Sequence, residues 1–253
     1  LLNIMDELRA KCPWDKKQTF DSLRANTIEE TYELCDAIMK KDTKEIKKEL
    51  GDVLLHIVFY SKIASETNDF DIADVCNSLC DKLIFRHPHV FGEENAQNAG
   101  EVEKSWEQIK QKEKDGNKSV LAGVPDALPA LIKCYRIQDK ARNVGFDWKE
   151  KEDIWHKVEE ELNEFKDEVH AMNQEKMEEE FGDLLFSMIN AARLYKINPE
   201  NALERCNRKF IRRFNHIEKR SKEENKELSQ LSLEEMDAYW DEAKKIEKEN
   251  IQS

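Results

Sequence analysis

Glu29-Glu-Thr-Tyr-Glu33, followed by Glu49-Leu-Gly-Asp52, recurs as Glu160-Glu-Leu-Asn-Glu164 followed by Glu180-Phe-Gly-Asp183. Each acidic position returns 131 residues later, and the 16-residue step from Glu33 to Glu49 is kept from Glu164 to Glu180. Self-similarity at a fixed period marks an internal duplication. In a chain with 54 acidic residues a single Glu-x-x-Glu reads as a solvated helix face. A whole figure repeated with its internal spacing calls for another explanation.

Residues three apart share a helix face, so Glu30 with Glu33, and Glu49 with Asp52, each direct two carboxylates the same way. Glu33 and Glu49 stand 8 residues either side of Lys41, and Glu30 and Asp52 stand 11. In the second half Glu164 with Glu180, and Glu161 with Asp183, are placed identically about Met172. Folded back as antiparallel hairpins, each half brings four carboxylates to one level between its helices. Four like charges so placed repel unless a cation joins them. All are oxygen donors, with no His or Cys in the figure, which selects Mg²⁺, with Mn²⁺ as a substitute, over zinc. A di-iron bundle requires Glu-x-x-His on its ligand helices, which these positions lack.

The rest of the composition agrees with helices. Only 7 Gly and 5 Pro occur among 253 residues, and 38% are charged, which predicts an all-α chain. The period divides it into two tandem helical-bundle repeats, 1–116 and 129–253, joined by a Gly- and Pro-bearing linker at 117–128. A net charge of −13 disfavours binding to a nucleic-acid polymer, whose backbone needs clustered Lys and Arg. No apolar run approaches the roughly 20 residues of a membrane span, and no signal-peptide pattern opens the chain. Cys12, Cys35, Cys76, Cys80, Cys134 and Cys206 have no paired metal-ligand spacing and read as buried, reduced thiols of a cytoplasmic protein.

Along the chain, Thr27-x-x-Glu30 reads as a capping box opening the first carboxylate helix, and Asp42 opens the second. The second continues through Val53, Leu54, Leu55, Ile57, Val58 and Phe59, apolar on most sides and therefore expected to be buried, as is its twin from Leu184 to Ile189. A turn at 67–70 leads to a third helix ending in Lys82 and Arg86, whose counterpart, at an offset of 127, ends in Lys209, Arg212 and Arg213. A fourth carries Trp106 and Lys110 in one half, Trp240 and Lys244 in the other. Each half opens on an aromatic, acidic loop, Cys12-Pro-Trp-Asp15 or Gly145-Phe-Asp-Trp148.

Carboxylates that hold Mg²⁺, basic pairs that neutralise phosphate and an indole that can stack on a base together describe a nucleotide site. A nucleoside triphosphate carries roughly −4 and the carboxylates about −4 more, so about two divalent ions must intervene, a setting for attack of water on phosphorus. The competing reading is a nucleotide-sensing regulatory module with little turnover.

Cys12-Pro-Trp-Asp15, Glu29-Glu-Thr-Tyr-Glu33, Glu49-Leu-Gly-Asp52, Arg86-His-Pro-His-Val-Phe-Gly92, Asn143-Val-Gly-Phe-Asp-Trp148 and Glu180-Phe-Gly-Asp183 carry a resemblance to the tandem-domain MazG nucleoside triphosphate pyrophosphohydrolases, of the all-α NTP pyrophosphatase superfamily. The resemblance covers almost the whole chain. It implies Mg²⁺-dependent hydrolysis of ribo- or deoxyribonucleoside triphosphates between the α and β phosphates, in house-cleaning or control of the nucleotide pool, by a homodimer. It also implies that the C-terminal repeat is the hydrolytic one, with Glu161, Glu164, Glu180 and Asp183 as metal ligands, Glu30, Glu33, Glu49 and Asp52 being the N-terminal set. Lys157 and Lys176 would lie beside the triphosphate, Lys209 and Arg213 would hold phosphates and Trp240 would line the base pocket, with Arg212 and Lys244 as further nucleotide-binding candidates. Lys82, Arg86, Trp106 and Lys110 would furnish a second site. Glu160, four residues before Glu164, is expected to orient or deprotonate the attacking water. Asn26 and Glu45 replace Lys157 and Lys176 in the N-terminal half, leaving it two positive charges short.

Overall fold

The computed structural model describes residues 1–92, 109 and 119–252; Trp106, Lys110 and the expected boundary at 116/117 lie outside them. Every regular element among the described residues is helical. The chain divides into two compact units, Leu1–Lys112 and Glu113–Ser253.

In the first unit α1 (Leu2–Lys11) precedes the hairpin of α2 (Phe20–Lys40) and α3 (Thr43–Ser65), followed by α4 (Ile72–Arg86) and the single turn α5 (Pro88–Phe91). In the second, α6 (Ala130–Asn143) precedes the hairpin of α7 (Asp153–Ala171) and α8 (Gln174–Leu194), followed by α9 (Pro199–Glu223) and α10 (Leu233–Gln252). The centres of sequence symmetry are the hairpin turns themselves. Lys41 at φ 57° and Met172 at φ 55° are left-handed residues that end α2 and α7, and Asp42 and Asn173 then cap α3 and α8.

The first carboxylate helix begins earlier than Thr27-x-x-Glu30 implies. Thr19 and Ser22 form the capping box, each side chain bonding the other's backbone N–H at 3.1 and 2.8 Å. Thr27 is a turn and more into α2, and its hydroxyl instead donates to the Leu23 carbonyl at 3.0 Å. The long C-terminal counterpart of α4 also departs from expectation. His87-Pro88 ends α4, because proline lacks the N–H a helix needs, whereas Phe214-Asn215 at the equivalent positions lets α9 run on to Glu223.

The two hairpins are stapled by equivalent residues. Leu23 on α2 and its twin Ile154 on α7 are each 1% exposed, and Val58 and Ile189 are buried opposite them. Met5, Leu23, Val58 and Phe59 form the core of the first unit. The second has one cluster around Ile154, Val158 and Ala191 and another around Ile217, Leu231 and Tyr239. The apolar runs of α3 and α8 are not buried all round. Leu54 and Ile57 are 47% and 42% exposed, as are Leu185 and Met188 at 42% and 45%. A hairpin partner covers one stripe of a helix, and the opposite stripe faces outward. The same geometry exposes Cys35, Cys76, Cys80 and Cys206, which were expected inside; Cys12 and Cys134 are half-buried, and all six are free thiols.

Candidate functional site

Both hairpins gather carboxylates. Oxygens of Glu30, Glu49 and Asp52 lie within 4.8 Å of one another, and so do those of Glu161, Glu164 and Glu180. The mirrored spacing places four acids at one level; three converge in each half, and the odd one out differs, Glu33 in the first and Asp183 in the second. Successive members of an i, i+3 pair point about 60° apart around the helix, so each helix can aim one carboxylate squarely at its partner and a second obliquely. The outlying acids still act on the cluster. Burial, then the charges of Asp52, Glu33 and Glu49, raise the Glu30 carboxyl above its ordinary value. Burial, then Glu164, Asp183 and Glu161, do the same for Glu180.

This is an arrangement that resists its own ionisation and that a cation would relieve. Glu49 adds a second sign of fit: it is 3% exposed, Lys48 bonds one of its oxygens at 2.8 Å, and the other is buried with no partner. An all-oxygen donor set of this kind suits a hard divalent ion.

The cations around the two clusters differ. Lys157, from within α7, reaches Glu161 at 2.5 Å and Glu160 at 3.0 Å, and these bonds raise its ammonium pKa. Glu160 thus sits against Lys157, outside the 4.8 Å group. Lys176, at the start of α8, approaches Glu168 at 3.7 Å.

The remaining basic and aromatic candidates form a separate group between α9 and α10. Arg213 and Arg212 bond Glu247 at 2.8 and 3.2 Å, the Arg213 guanidinium lies 5.4 Å from the Trp240 ring centre, and Phe210 packs on that indole at 5.1 Å. Lys244 pairs with Asp241 at 2.8 Å, and Lys209 is exposed on α9. In the first unit Lys82 is exposed on α4 and Arg86 closes that helix.

What the sequence reading did not find is a cavity of about 720 Å³ in the second unit. Lys157, Glu161 and Asp183 line it together with Ile137, Gln138, Ser187 and Asn190, and Phe146, Asp147 and Trp148 contribute from the loop before α7. Gly145, at φ 91°, allows the chain to turn there. Asp147 is held by a bidentate pair with the buried Arg193, one arm at 3.2 Å, which ties the loop to α8. None of Lys209, Arg212, Arg213, Trp240 or Lys244 lines this cavity.

A signal for it was present in the duplication. Ser187, Asn190 and Ala191 stand where the first half has His56, Phe59 and Tyr60, and Ala141 stands where it has Arg9. Reading the repeat for differences in side-chain size, and not only for shared acids, locates the space.

Comparison with known proteins follows the same division. The model of the MazG nucleotide pyrophosphohydrolase domain matches residues 18–91 and again 149–218, segments that start 131 positions apart and end 127 apart, the two offsets of the duplication. A nucleoside triphosphate pyrophosphohydrolase/pyrophosphatase MazG from Thermotoga maritima is 46% identical over 247 residues, covering 96% of this chain and 94% of that protein. A nucleoside triphosphate pyrophosphohydrolase from Escherichia coli K12 is 42% identical, covering 98% of this chain and 97% of that protein. The uncharacterized protein YabN of Bacillus subtilis is 47% identical over 97% of this chain, which spans 51% of that longer protein. With paired acidic hairpins and two matching segments, the chain belongs to the MazG nucleotide pyrophosphohydrolase family.

Proposed function

We infer that this chain is a nucleoside triphosphate pyrophosphohydrolase, releasing a nucleoside monophosphate and pyrophosphate, and that its C-terminal repeat does the work. The observation that carries the assignment to that repeat is the cavity of about 720 Å³ that Lys157, Glu161 and Asp183 help to line. That volume suits a nucleoside, with the charged lining residues left for its phosphates. The two repeats are taken as 1–116 and 129–253, with 117–128 between them.

Glu161, Glu164, Glu180 and Asp183 are the proposed holders of Mg²⁺, for which Mn²⁺ can substitute. When bound, the ion neutralises charge between carboxylates and polyphosphate and polarises a phosphoryl oxygen. Lys157 stands at the junction of cavity and cluster, where an ammonium can leave its acidic partners for a phosphate oxygen. Glu160, released from Lys157 by that exchange, is then free to accept a proton from water. Lys176, Lys209, Arg212, Arg213, Trp240 and Lys244 remain proposed nucleotide contacts, although none of them lines the cavity. A homodimer would cover the outward apolar stripes of α3 and α8. Among the described residues no helix is long and apolar enough to cross a membrane, and six free thiols accord with a cytoplasmic setting.

A second reading applies to the N-terminal repeat. Its acidic cluster is as compact as the other, yet Phe59 and Tyr60 stand where the C-terminal cavity has Asn190 and its neighbour Ala191, so it is proposed to hold an ion as a structural or regulatory site without turning over nucleotide.

Product analysis tests the assignment. Purified protein incubated with Mg²⁺ and each nucleoside triphosphate is expected to give monophosphate and pyrophosphate, and the same preparation to sediment as a dimer. Diphosphate and orthophosphate, or tight binding without turnover, would favour the sensor instead.

A further inference from the structure

One carboxylate joins the loop before α7 to α8. Asp147 accepts a bidentate pair from the Arg193 guanidinium, with Nη1 at 3.2 Å, and a further bond from the Trp148 backbone N–H at 3.0 Å. The same side chain thus shapes the loop and fixes it to the helix. The Arg193 side chain is only 4% exposed, and Asn190 Oδ1 accepts from its Nε and Nη2 at 3.1 and 2.8 Å, which holds the guanidinium plane in place. Arg193 lies ten residues beyond Asp183 on α8, about 15 Å by the helical rise, so the loop is held at a set distance from the acids of that helix.

The N-terminal unit holds its loop differently. There Arg9 on α1 donates to the backbone carbonyls of Asp15 and Gln18, and Lys62, at the position of Arg193, pairs with Asp6 at 2.6 Å. In the second unit Ala141 replaces Arg9 and Gln138 replaces Asp6. Gln138 gives its Nε2 to the Phe186 carbonyl at 2.8 Å, and its Oε1 has no partner. The buried guanidinium needs an anion, and Asp147 supplies it in place of an acid on α6. The residues on either side of Asp147 are Phe146 and Trp148, which line the cavity and are 82% and 39% exposed. Aromatic rings left uncovered on a cavity wall offer a stacking surface for a flat ligand.

We propose that Asp147 and Arg193 are positioning residues for nucleotide binding, holding Phe146 and Trp148 in place as a stacking surface for the nucleobase and leaving the chemical step to the carboxylates. This rests on the nucleotide reading of the cavity. Every base has a π-face, so the pair acts on affinity for purine and pyrimidine triphosphates alike and not on the choice between them. Its loss is therefore read in KM and not in kcat.

The experiment measures kcat and KM for pyrophosphate release from ATP and CTP in the full chain with Mg²⁺. Four proteins are compared: the wild type, Asp147→Asn with Arg193→Met, Phe146→Ala with Trp148→Ala, and all four substitutions together. Removing both charges at once leaves neither buried alone. Each double variant should raise KM about tenfold with kcat held within about threefold, and the quadruple variant should exceed the aromatic double variant by no more than about twofold, because the ion pair then has no rings to place. A fall in kcat with KM unmoved, or KM factors that multiply in full, would overturn the proposal. Should loss of both charges prevent folding, Arg193→Lys keeps the charge without the bidentate fork. It is expected to raise KM about threefold when the rings are present and not when they are absent, and an equal rise in both backgrounds would sink the idea. A wild type that released no pyrophosphate would remove the nucleotide reading first, whereas an active wild type whose KM ignores the ion pair would overturn this proposal alone.

Discussion

The interiors of the two repeats are built on equivalent helices and lined by side chains of different volume. In the N-terminal repeat the Thr27 hydroxyl meets His56 Nδ1 at 2.9 Å and the Tyr60 hydroxyl at 2.6 Å, Phe59 is 3% exposed beside Met5, and the Arg9 guanidinium lies 5.7 Å from the Phe59 ring centre. In the C-terminal repeat the equivalent positions are Val158, Ser187, Ala191, Asn190, Ile137 and Ala141, and a cavity stands beside the carboxylates. Burial lowers the pKa of His56, so the polar knot between α2 and α3 is held around a neutral imidazole. Divergence in side-chain volume between the copies leaves Met5, Leu23, Val58 and Phe59 packed together in one and a cavity beside the carboxylates in the other. Acidic clusters alone do not distinguish the copies; what lies next to them does.

The largest expected effect separates the copies by activity. Glu161→Gln should lower kcat/KM for pyrophosphate release by about a thousandfold, roughly 4 kcal/mol of lost stabilisation, while the twin Glu30→Gln should stay within about threefold. Equal losses from both variants would make the N-terminal cluster part of the reaction and dissolve the contrast.

Exchange of the fillings comes next. Phe59→Ala should destabilise the N-terminal unit by about 3–5 kcal/mol, measured by denaturant unfolding, because a buried ring is lost from a core that cannot collapse fully. The reciprocal Asn190→Phe, which also takes the Oδ1 acceptor from the buried Arg193, should cost about 1–3 kcal/mol of stability and raise KM by about a hundredfold, since the ring occupies the proposed nucleoside space. A normal KM in that variant would place the nucleoside elsewhere.

The smallest effect is in acid. Arg9 bonds Glu66 at 2.8 Å, and that bond, more than its burial, holds the Glu66 carboxyl below its ordinary value of 4.5. A depressed folded-state value gives stability that is present above 4.5 and is lost as pH falls through the folded value. The C-terminal unit has Ala141 and Ile197 at these positions and cannot share the loss. Unfolding followed between pH 5 and about pH 3 should therefore show wild type converging on Glu66→Gln. A constant difference between them over that range would sink the assignment.

Much of this architecture was legible in the chain. The mirrored acids located the turns so closely that the two symmetry centres, Lys41 and Met172, are the left-handed residues closing α2 and α7. Asp42 as a cap, and the turn before α4, followed from local chemistry that needs few neighbours. Thr27 was misread because a Thr three residues before a Glu fits a capping box equally well when it sits inside a helix that began at Phe20. The cysteines and the outer stripes of α3 and α8 were misread because apolar content says that a face can be buried, not that the hairpin has enough partners to bury it.

The sequence by itself determined the helices, the duplication, the hairpins and the acids they carry, since all of these follow from spacing along one chain and from capping within a few residues. Only the tertiary structure decided which three carboxylates converge in each half, that Arg213 and Trp240 engage Glu247 and Phe210 away from the cavity, and that Gln138 is left with an unpartnered oxygen. Those outcomes depend on side-chain volume and direction summed over residues distant in sequence. An empty space, in particular, is written at no single position, because it is the difference between what surrounding helices enclose and what their side chains fill.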